Sequence, residues 1–326
     1  MRKLISVLLA IHGAIHLLDF TSPGSWPNRR ASPTRRPWHR HDAGFGVRRL
    51  VIAAAIVGAL AVLGTLLVVG ARAIRGRVGD EIDQLLAAGG RSERVPLTAE
   101  EVARPVPVRR WLRYPNVVGK PRPWTVRLKQ EGDFRLSEER DWAPFDAEQY
   151  FTTDPPAFVW QVSMKMAPLV SVFGRDRYQD GVASMDMRLL WLVPVGKKTG
   201  GGLNQGDLLR YLGELIWFPA AAVSPYITWA RIDENSAEAS MSYGAISASM
   251  TFTFNRERRL IKQRAHRYND AKERNVWWVN REQEDAVFEG IRVPVVGEAL
   301  WEFESGDFTY IRWRITNVET NRPTRY

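Results

Sequence analysis

The sequence Phe-Val-Trp-Gln-Val-Ser-Met-Lys-Met at residues 158–166 decides the fold. Apolar side chains occupy every second position of this stretch, and the intervening positions are more polar. This period of two is typical of a β-strand with one buried face. The residues on the predicted buried face are Phe158, Trp160, Val162, Met164 and Met166.

The same alternation returns at residues 183–195, which we predict to be one strand. Its apolar positions are again rich in methionine and tryptophan, and residues 246–254 repeat the pattern. Methionine and aromatic side chains fill irregular space and adapt to flexible apolar ligands, although an ordinary protein core has the same composition. The predicted ligand-binding apolar face comprises Phe158, Trp160, Met164, Met166, Met185, Met187, Trp191, Met250 and Phe252.

Further strand patterns fill the chain from residue 124 to residue 318, and one convincing helix interrupts them at residues 204–218. Asn204 is the expected N-cap of this helix, and Pro219 ends it. Successive strands without alternating helices favour an antiparallel sheet, and long strands with one apolar face must wrap something. The predicted fold is therefore mainly β (α+β), with a large antiparallel half-barrel sheet that wraps one main helix.

The charge distribution argues against nucleic-acid binding. The net charge is +10, but residues 1–72 hold ten basic and two acidic residues, whereas the rest holds 36 and 34. The basic excess thus belongs to the N-terminal segment and not to the main domain. The chain has no cysteine, which excludes disulfides and thiolate chemistry.

The N-terminal segment has the pattern of a membrane region. Residues 50–70 carry no charge and would span about 31 Å as a helix, which matches a bilayer core. A shorter apolar stretch at residues 4–20 is read as a first span. The loop between them carries seven arginines, so the positive-inside rule places it in the cytoplasm. We therefore predict a cell-membrane protein with two spans and its main domain on the extracytoplasmic side.

Three segments follow from this interpretation. Residues 1–72 form the membrane region, residues 73–94 form a juxtamembrane helix and linker, and residues 95–326 form the β-rich domain. Glycines at 76 and 79 are expected to interrupt the juxtamembrane helix. His12 and His16 share one face of the first span, a spacing that suits either a metal or a neutral, hydrogen-bonded pair.

Candidate catalytic groups are sparse. The sequence has no nucleophile elbow, phosphate-binding loop or metal-ligand spacing, so no catalytic residue, metal site or cofactor is assigned. Asp176, Tyr178 and Asp180 form a candidate polar site in which the two aspartates could act as paired carboxylates. The alternative is a solvated strand end with a turn. Glu148 and Glu214 are weaker candidate acids.

Several motifs resemble an uncharacterised bacterial family of membrane-anchored proteins with a domain of unknown function. They lie at residues 109–114, 148–156, 174–178, 180–181 and 306–310, and the resemblance covers about residues 95–320. The family implies no activity. More loosely, the strand-rich plan with an inserted helix is similar to the LolA/LolB lipoprotein carriers, and this similarity implies a half-barrel that holds acyl chains.

Taken together, the residues favour a non-catalytic, membrane-tethered binding protein for an apolar ligand such as a lipid or an acyl chain. The expected partners are the membrane and a lipid or lipidated protein, without nucleic acid. Two alternatives stay open. One is an envelope protein–protein interaction module with a filled core, and the other is a hydrolase or transferase that depends on Asp176, Asp180 or Glu148.

Overall fold

The computed structural model describes residues 42–90 and 95–326. The chain divides into two compact units, Met1–Ala73 and Ile74–Tyr326. The predicted first span at residues 4–20, with His12 and His16, lies outside the described residues. Most of the basic loop that follows it also lies outside them.

A single helix of 47 residues, α1 (Asp42–Ala88), contains the predicted second span. Among the described residues, its section Leu50–Ala88 is the one helix long and apolar enough to cross a membrane. Its apolar side chains between Leu50 and Val69 are exposed. The helix runs through Gly76 and Gly79 without a break, so the predicted interruption there is wrong.

The unit Ile74–Tyr326 is built on one antiparallel sheet of 13 strands, which confirms the mainly β class. Strands β1 to β6 form one meander and β7 to β13 a second, and β1 pairs with β13 where they meet. Strands β6 and β7 are therefore the two edges. The strands are β1 Thr125–Phe134, β2 Ala143–Thr153, β3 Pro156–Ala167, β4 Val170–Gln179, β5 Val182–Leu189, β6 Val193–Thr199, β7 Ile227–Arg231, β8 Ser236–Tyr243, β9 Ile246–Phe254, β10 Leu260–Asn269, β11 Arg274–Phe288, β12 Ile291–Phe303 and β13 Gly306–Thr320.

The stretch predicted as one strand at residues 183–195 is a hairpin. Strand β5 ends at Leu189, and β6 begins at Val193 and pairs back onto it. Leu190 and Trp191 both adopt positive φ, at 49° and 66°, which turns the chain. Apolar residues continue through this turn, so the period of two alone did not reveal it. The side chain of Trp191 consequently leaves the face that Met185 and Met187 share.

Helix α3 (Gly202–Glu214) and two 3₁₀ turns, Leu215–Trp217 and Pro219–Val223, connect the two edge strands. Gly201 occupies the N-cap position, so the predicted cap at Asn204 is wrong. Asn204 instead accepts a hydrogen bond from the backbone N–H of Ala183 on β5 at 2.8 Å. The side chain of Asn204 thus fixes the helix to the sheet instead of closing its first turn.

The sheet wraps around α3. Arg210 on the helix bonds Asp176 of β4 at 2.9 Å, while the Gly213 carbonyl accepts a hydrogen bond from Gln263 of β10 at 2.8 Å. Because β4 and β10 belong to opposite halves of the sheet, the helix is held from both sides. We call the face that contacts α3 the inner face.

The other face of the sheet, the outer face, is covered by the last turns of α1. Ile74, Val78 and Ile82 pack with Tyr150 and Val159 in one buried cluster. Residues 74–88, which belong to the segment predicted as a juxtamembrane helix and linker, therefore pack on the sheet.

The short helix α2 (Val106–Arg113) lies on the inner face, where Trp111 packs against Phe254 of β9 with ring centroids 5.6 Å apart.

Candidate functional site

A cavity of about 260 Å³ lies between α3 and the inner face of the sheet. Its wall combines ten large apolar side chains, most of them aromatic or methionine, with nine polar ones. In small-molecule sites, apolar walls provide affinity and polar groups fix orientation. The apolar lining includes Phe134, Trp160, Met164, Met185, Met187, Ile216, Trp217, Trp278, Ile311 and Trp313. The polar lining includes Gln130, Asp176, Arg210, Glu214, Gln263, Arg267, Asn280, Glu282 and Tyr310.

Arg210 organises one end of the cavity. Its Nε donates to Glu214 at 2.7 Å, one helical turn away, and its Nη1 donates to Asp176 at 2.9 Å. The guanidinium also lies 4.7 Å from the ring centroid of Trp160, in cation–π geometry. Burial lowers the pKa of Arg210, but Glu214 and Asp176 more than offset this and raise it. The arginine is therefore a fixed positive charge shared by two carboxylates.

Neighbouring amides complete this polar end. Gln149 donates to the second oxygen of Glu214 at 2.6 Å, and Asn280 donates to Gln263 at 3.0 Å. Trp160 donates its indole N–H to Gln130 at 2.9 Å. Because unpaired buried polar groups cost stability, these bonds make the end of the cavity rigid and preorganised.

Asp207 lies one turn before Arg210 on α3 and is only 2% exposed. Its nearest basic group is Arg267 of β10, at 3.8 Å. Burial raises the pKa of Asp207 to about 8, and the neighbouring Asp176 adds to the shift. This carboxyl therefore ionises less readily than an exposed aspartate.

Glu282 of β11 differs from the other polar groups of the cavity. It is 5% exposed, and neither carboxylate oxygen has a hydrogen-bond partner. Burial raises its pKa to about 8. It shares its strand face with Asn280 and Trp278, which also line the cavity.

Two tryptophans form a corner in the cavity wall. The rings of Trp217 and Trp313 meet at 89° with centroids 5.4 Å apart. The indole N–H of Trp217 donates to the carbonyl of Pro294 at 3.1 Å, which fixes that ring. Trp278 is fixed in the same way, by donating to the hydroxyl of Tyr310 at 3.0 Å.

Only some residues of the predicted apolar face lie around this cavity. Trp160, Met164, Met185 and Met187 line it. Phe158 is fully buried on the same face, and its ring centroid lies 5.1 Å from the Arg210 guanidinium. The other predicted members of the face lie elsewhere.

Met250 is buried with its methyl group beside Gly213 of α3. Phe252 packs against Trp229 and Trp111 instead of the cavity, with centroids 5.0 Å and 6.0 Å away. Met166 is half-buried at the irregular end of β3 and does not line the cavity.

The placement of Trp191 on the inner face is wrong. Its ring stacks on Phe173 at 4.2 Å and lies under Arg75, 4.4 Å from the guanidinium, on the outer face. The reason is the turn at Leu190 and Trp191, which reverses the chain before this side chain.

The residues of the candidate polar site also lie in different environments. Asp176 faces the cavity, and Tyr178 is buried with an unpartnered hydroxyl. Asp180 is exposed in the turn after β4, with φ of 53°. Glu148 accepts hydrogen bonds from Tyr150 at 2.7 Å and Gln161 at 2.8 Å beside the outer face. The predicted pairing of Asp176 with Asp180 is therefore wrong, since the carboxylates near Asp176 are Asp207 and Glu214.

The sequence did not single out Arg210 or Glu282, and it indicated Glu214 only as a weaker candidate acid. Arg210 and Glu214 are four residues apart on a helix, a spacing that signals an ion pair but not its burial. Glu282 lies on the same alternating strand face as Trp278. This alternation was the one signal in the sequence that could have indicated that Glu282 is buried. Within residues 42–90 and 95–326, no group of three or more His, Asp or Glu side chains is arranged to hold a metal ion.

Comparison with solved structures finds distant similarity to β-rich proteins. A DUF1329 family protein from Desulfovibrio piger aligns over 68% of this chain and 91% of its own, with 8% identity and a TM-score of 0.38. The LolA superfamily protein NE2245 from Nitrosomonas europaea aligns over 61% and 86%, with 9% identity and a TM-score of 0.32. A beta-barrel-like DUF1849 protein from Brucella abortus aligns over 61% and 98%, with 9% identity and a TM-score of 0.20.

No curated protein matches the chain significantly. A sequence family does match, and the matched region contains α2, α3, strands β1 to β12 and the first part of β13. The matched residues are 97–313, about two thirds of the chain. The chain therefore belongs to the family of unknown function DUF6544.

Proposed function

We propose that the protein is a membrane-tethered, non-catalytic binding protein for an apolar ligand such as a lipid or a single acyl chain. The observation that supports this most is the cavity of about 260 Å³ between α3 and the sheet. Close-packed interiors contain few voids larger than a water molecule, so a space of this size with tryptophan and methionine walls is suited to an occupant.

The size and lining of the cavity favour one slender chain. Its volume of about 260 Å³ lies just below the range for small-molecule sites, which begins at about 300 Å³. Each methylene that moves from water into an apolar wall contributes about 0.8 kcal/mol before ordering costs. A short acyl or alkyl chain can therefore bind without any catalytic group, with the polar end of the cavity setting its orientation.

The arrangement of the charges supports binding more than catalysis. Asp176 and Glu214 are both held by Arg210, at 2.9 Å and 2.7 Å, and Gln149 occupies a further oxygen of Glu214. A general acid or base must be able to exchange a proton with a substrate. Two carboxylates fixed by one arginine are better suited to shaping a site.

The membrane attachment is part of the proposal. We place two spans at residues 4–20 and 50–70, the basic loop between them in the cytoplasm, and the main domain on the extracytoplasmic side. The charge-free helix and the seven arginines of the loop support this orientation. A reporter that fluoresces only in the cytoplasm, fused after Tyr326, is expected to stay dark. A fluorescent fusion would contradict the orientation.

The ligand is tested on the full chain in nanodiscs. Lipids that co-purify are identified by mass spectrometry, and fatty acids brominated along the chain are then added. Bromine quenches indole fluorescence at short range, and four tryptophans line the cavity, namely Trp160, Trp217, Trp278 and Trp313. We expect saturable quenching that exceeds any signal from fatty acids that merely partition into empty nanodiscs.

Met187→Trp, which fills the cavity, should reduce the saturable quenching at least tenfold. The matched control is Met166→Trp on the same half of the sheet, because Met166 does not line the cavity. Absence of both co-purified lipid and saturable quenching would overturn the proposed function. Equal loss in the two variants would show that the quenching arises elsewhere.

A further inference from the structure

Glu282 is a buried carboxylate to which no other side chain donates a hydrogen bond. It is 5% exposed, and both of its carboxylate oxygens are buried without a hydrogen-bond partner. An unpaired buried charge costs several kcal/mol, so such groups are paired, protonated or completed by a ligand. The side chain lines the cavity, so a ligand could reach it.

The basic groups near Glu282 already have acidic partners. Arg259 bonds Asp285 at 3.2 Å, and Asp285 also accepts the hydroxyl of Tyr114 at 2.8 Å. Arg210 is shared by Asp176 and Glu214 across the cavity, and Arg267 lies nearest Asp207. When Glu282 loses its proton, the cavity therefore gains a negative charge without a matching positive one.

The strand register places this carboxylate beside the tryptophan corner. Glu282 pairs with Gly297 on β12, and Gly297 pairs with Trp313 on β13. The Trp313 indole lies over Gly297, where a Cβ atom would come within 2.3 Å of its ring. Trp217 meets Trp313 at a right angle, and Trp278 lies four residues from Glu282 on the same strand face. Indole rings and one carboxylate thus surround the same part of the cavity.

We infer that the ligand of this cavity carries an organic cation, such as an alkylammonium group, held between Glu282 and the indole rings of Trp217 and Trp313. This inference rests on the proposed function, because it assigns the head group of the same apolar ligand. Tryptophan rings attract cations through their quadrupole, most strongly where water is excluded. The cation also supplies the positive charge that Glu282 lacks.

The experiment compares three probes of equal chain length on the full chain in nanodiscs at pH 8.5. Octyltrimethylammonium is a permanent cation, octanol is neutral and octanoate is an anion. Binding is measured by calorimetry, with partitioning into empty nanodiscs subtracted. We expect octyltrimethylammonium to bind at least about tenfold more tightly than octanol, which corresponds to about 1.4 kcal/mol. Octanoate is expected to bind more weakly than octanol.

Glu282→Gln should remove the preference for the cation over octanol, so that the two probes bind with similar dissociation constants. Glu284→Gln is the matched control, because Glu284 lies two residues away on the same strand and is exposed in an ion pair with Arg314. Trp313→Phe provides a second variant, and it should weaken octyltrimethylammonium more than octanol because phenylalanine attracts cations less strongly. Melting temperatures verify that each variant is folded.

The outcomes separate this inference from the proposed function. If octanol binds but octyltrimethylammonium binds no more tightly, or if Glu282→Gln keeps the preference, the cation inference is wrong and the apolar site stands. If none of the three probes binds the cavity, and no lipid co-purifies, both proposals fall.

Discussion

Trp313 lies against Gly297 on the neighbouring strand so closely that no other residue type fits at position 297. A Cβ atom there would come within 2.3 Å of Cζ2 of Trp313 and 2.6 Å of the Arg281 backbone oxygen. Because Gly297 has no side chain, the indole of Trp313 can lie over it and line the cavity beside Glu282.

Gly297→Ala should therefore displace Trp313 and destabilise the fold. Overpacking of a well-filled interior costs roughly 1–3 kcal/mol, and here part of the obstruction is backbone. Chemical denaturation monitored by circular dichroism would measure the loss. Gly196→Ala is the control, because its Cβ would meet Met187 at an ordinary 3.6 Å. Equal stability of the two variants would contradict the close approach.

Removal of Arg210 should be among the most damaging single changes in the domain. Arg210→Met leaves Asp176 and Glu214 buried without their shared cation, and breaking a buried ion pair costs about 3–5 kcal/mol. Arg314→Met removes an exposed partner of Glu284 and should change stability by less than about 1 kcal/mol. Urea midpoints of both variants measure the difference. A small effect of Arg210→Met would show that Arg210, Asp176 and Glu214 are more hydrated than their burial indicates.

The buried carboxyl of Glu282 should make stability fall as the pH rises. Burial raises its pKa from 4.5 to about 8, so the folded state holds a proton that the unfolded state releases above pH 4.5. The free energy of unfolding then falls by about 1.4 kcal/mol per pH unit until about pH 8 and levels off. Asp207, whose pKa is also raised to about 8, adds a parallel decline.

Glu282→Gln should remove one of these two declines. Melting temperatures measured from pH 5 to pH 9 would fall less steeply in this variant than in the wild type, and the variant should be the more stable at pH 9. Glu284→Gln, which alters an exposed side chain, should follow the wild-type curve. Parallel curves for all three proteins would mean that Glu282 is ionised throughout.

Binding of a permanent cation should respond to pH through the same group. Octyltrimethylammonium keeps its charge at every pH, so changes in its affinity report on the protein. Its dissociation constant should fall about tenfold per pH unit from pH 6 to about pH 8 and then level off, because binding requires ionised Glu282. Octanol should show no such slope. A flat profile for the cation would contradict its contact with Glu282.

Much of the scaffold can be predicted from the sequence because it depends on local periodicity. The alternation at residues 158–166 indicates β3 and correctly gives Phe158, Trp160 and Met164 a common face. The same reasoning fails at residues 183–195. There, apolar residues continue through a turn, and only the positive φ of Leu190 and Trp191 reverses the chain. A hydrophobic pattern cannot show a turn when the apolar residues continue through that turn.

The polar site depends on relationships that the linear sequence does not contain. Asp176 and Arg210 are 34 residues apart, yet they bond at 2.9 Å because the inserted helix returns to the sheet. Glu282 of β11 pairs with Gly297 of β12, and Gly297 pairs with Trp313 of β13, so the three residues lie in one row across the sheet. The sequence by itself determined a mainly antiparallel sheet, one inserted helix and an apolar helix long enough to cross a membrane, since these follow from local periodicity and length. Only the tertiary structure decided which charged residues are buried together, because burial and pairing depend on which distant strands and helices come into contact.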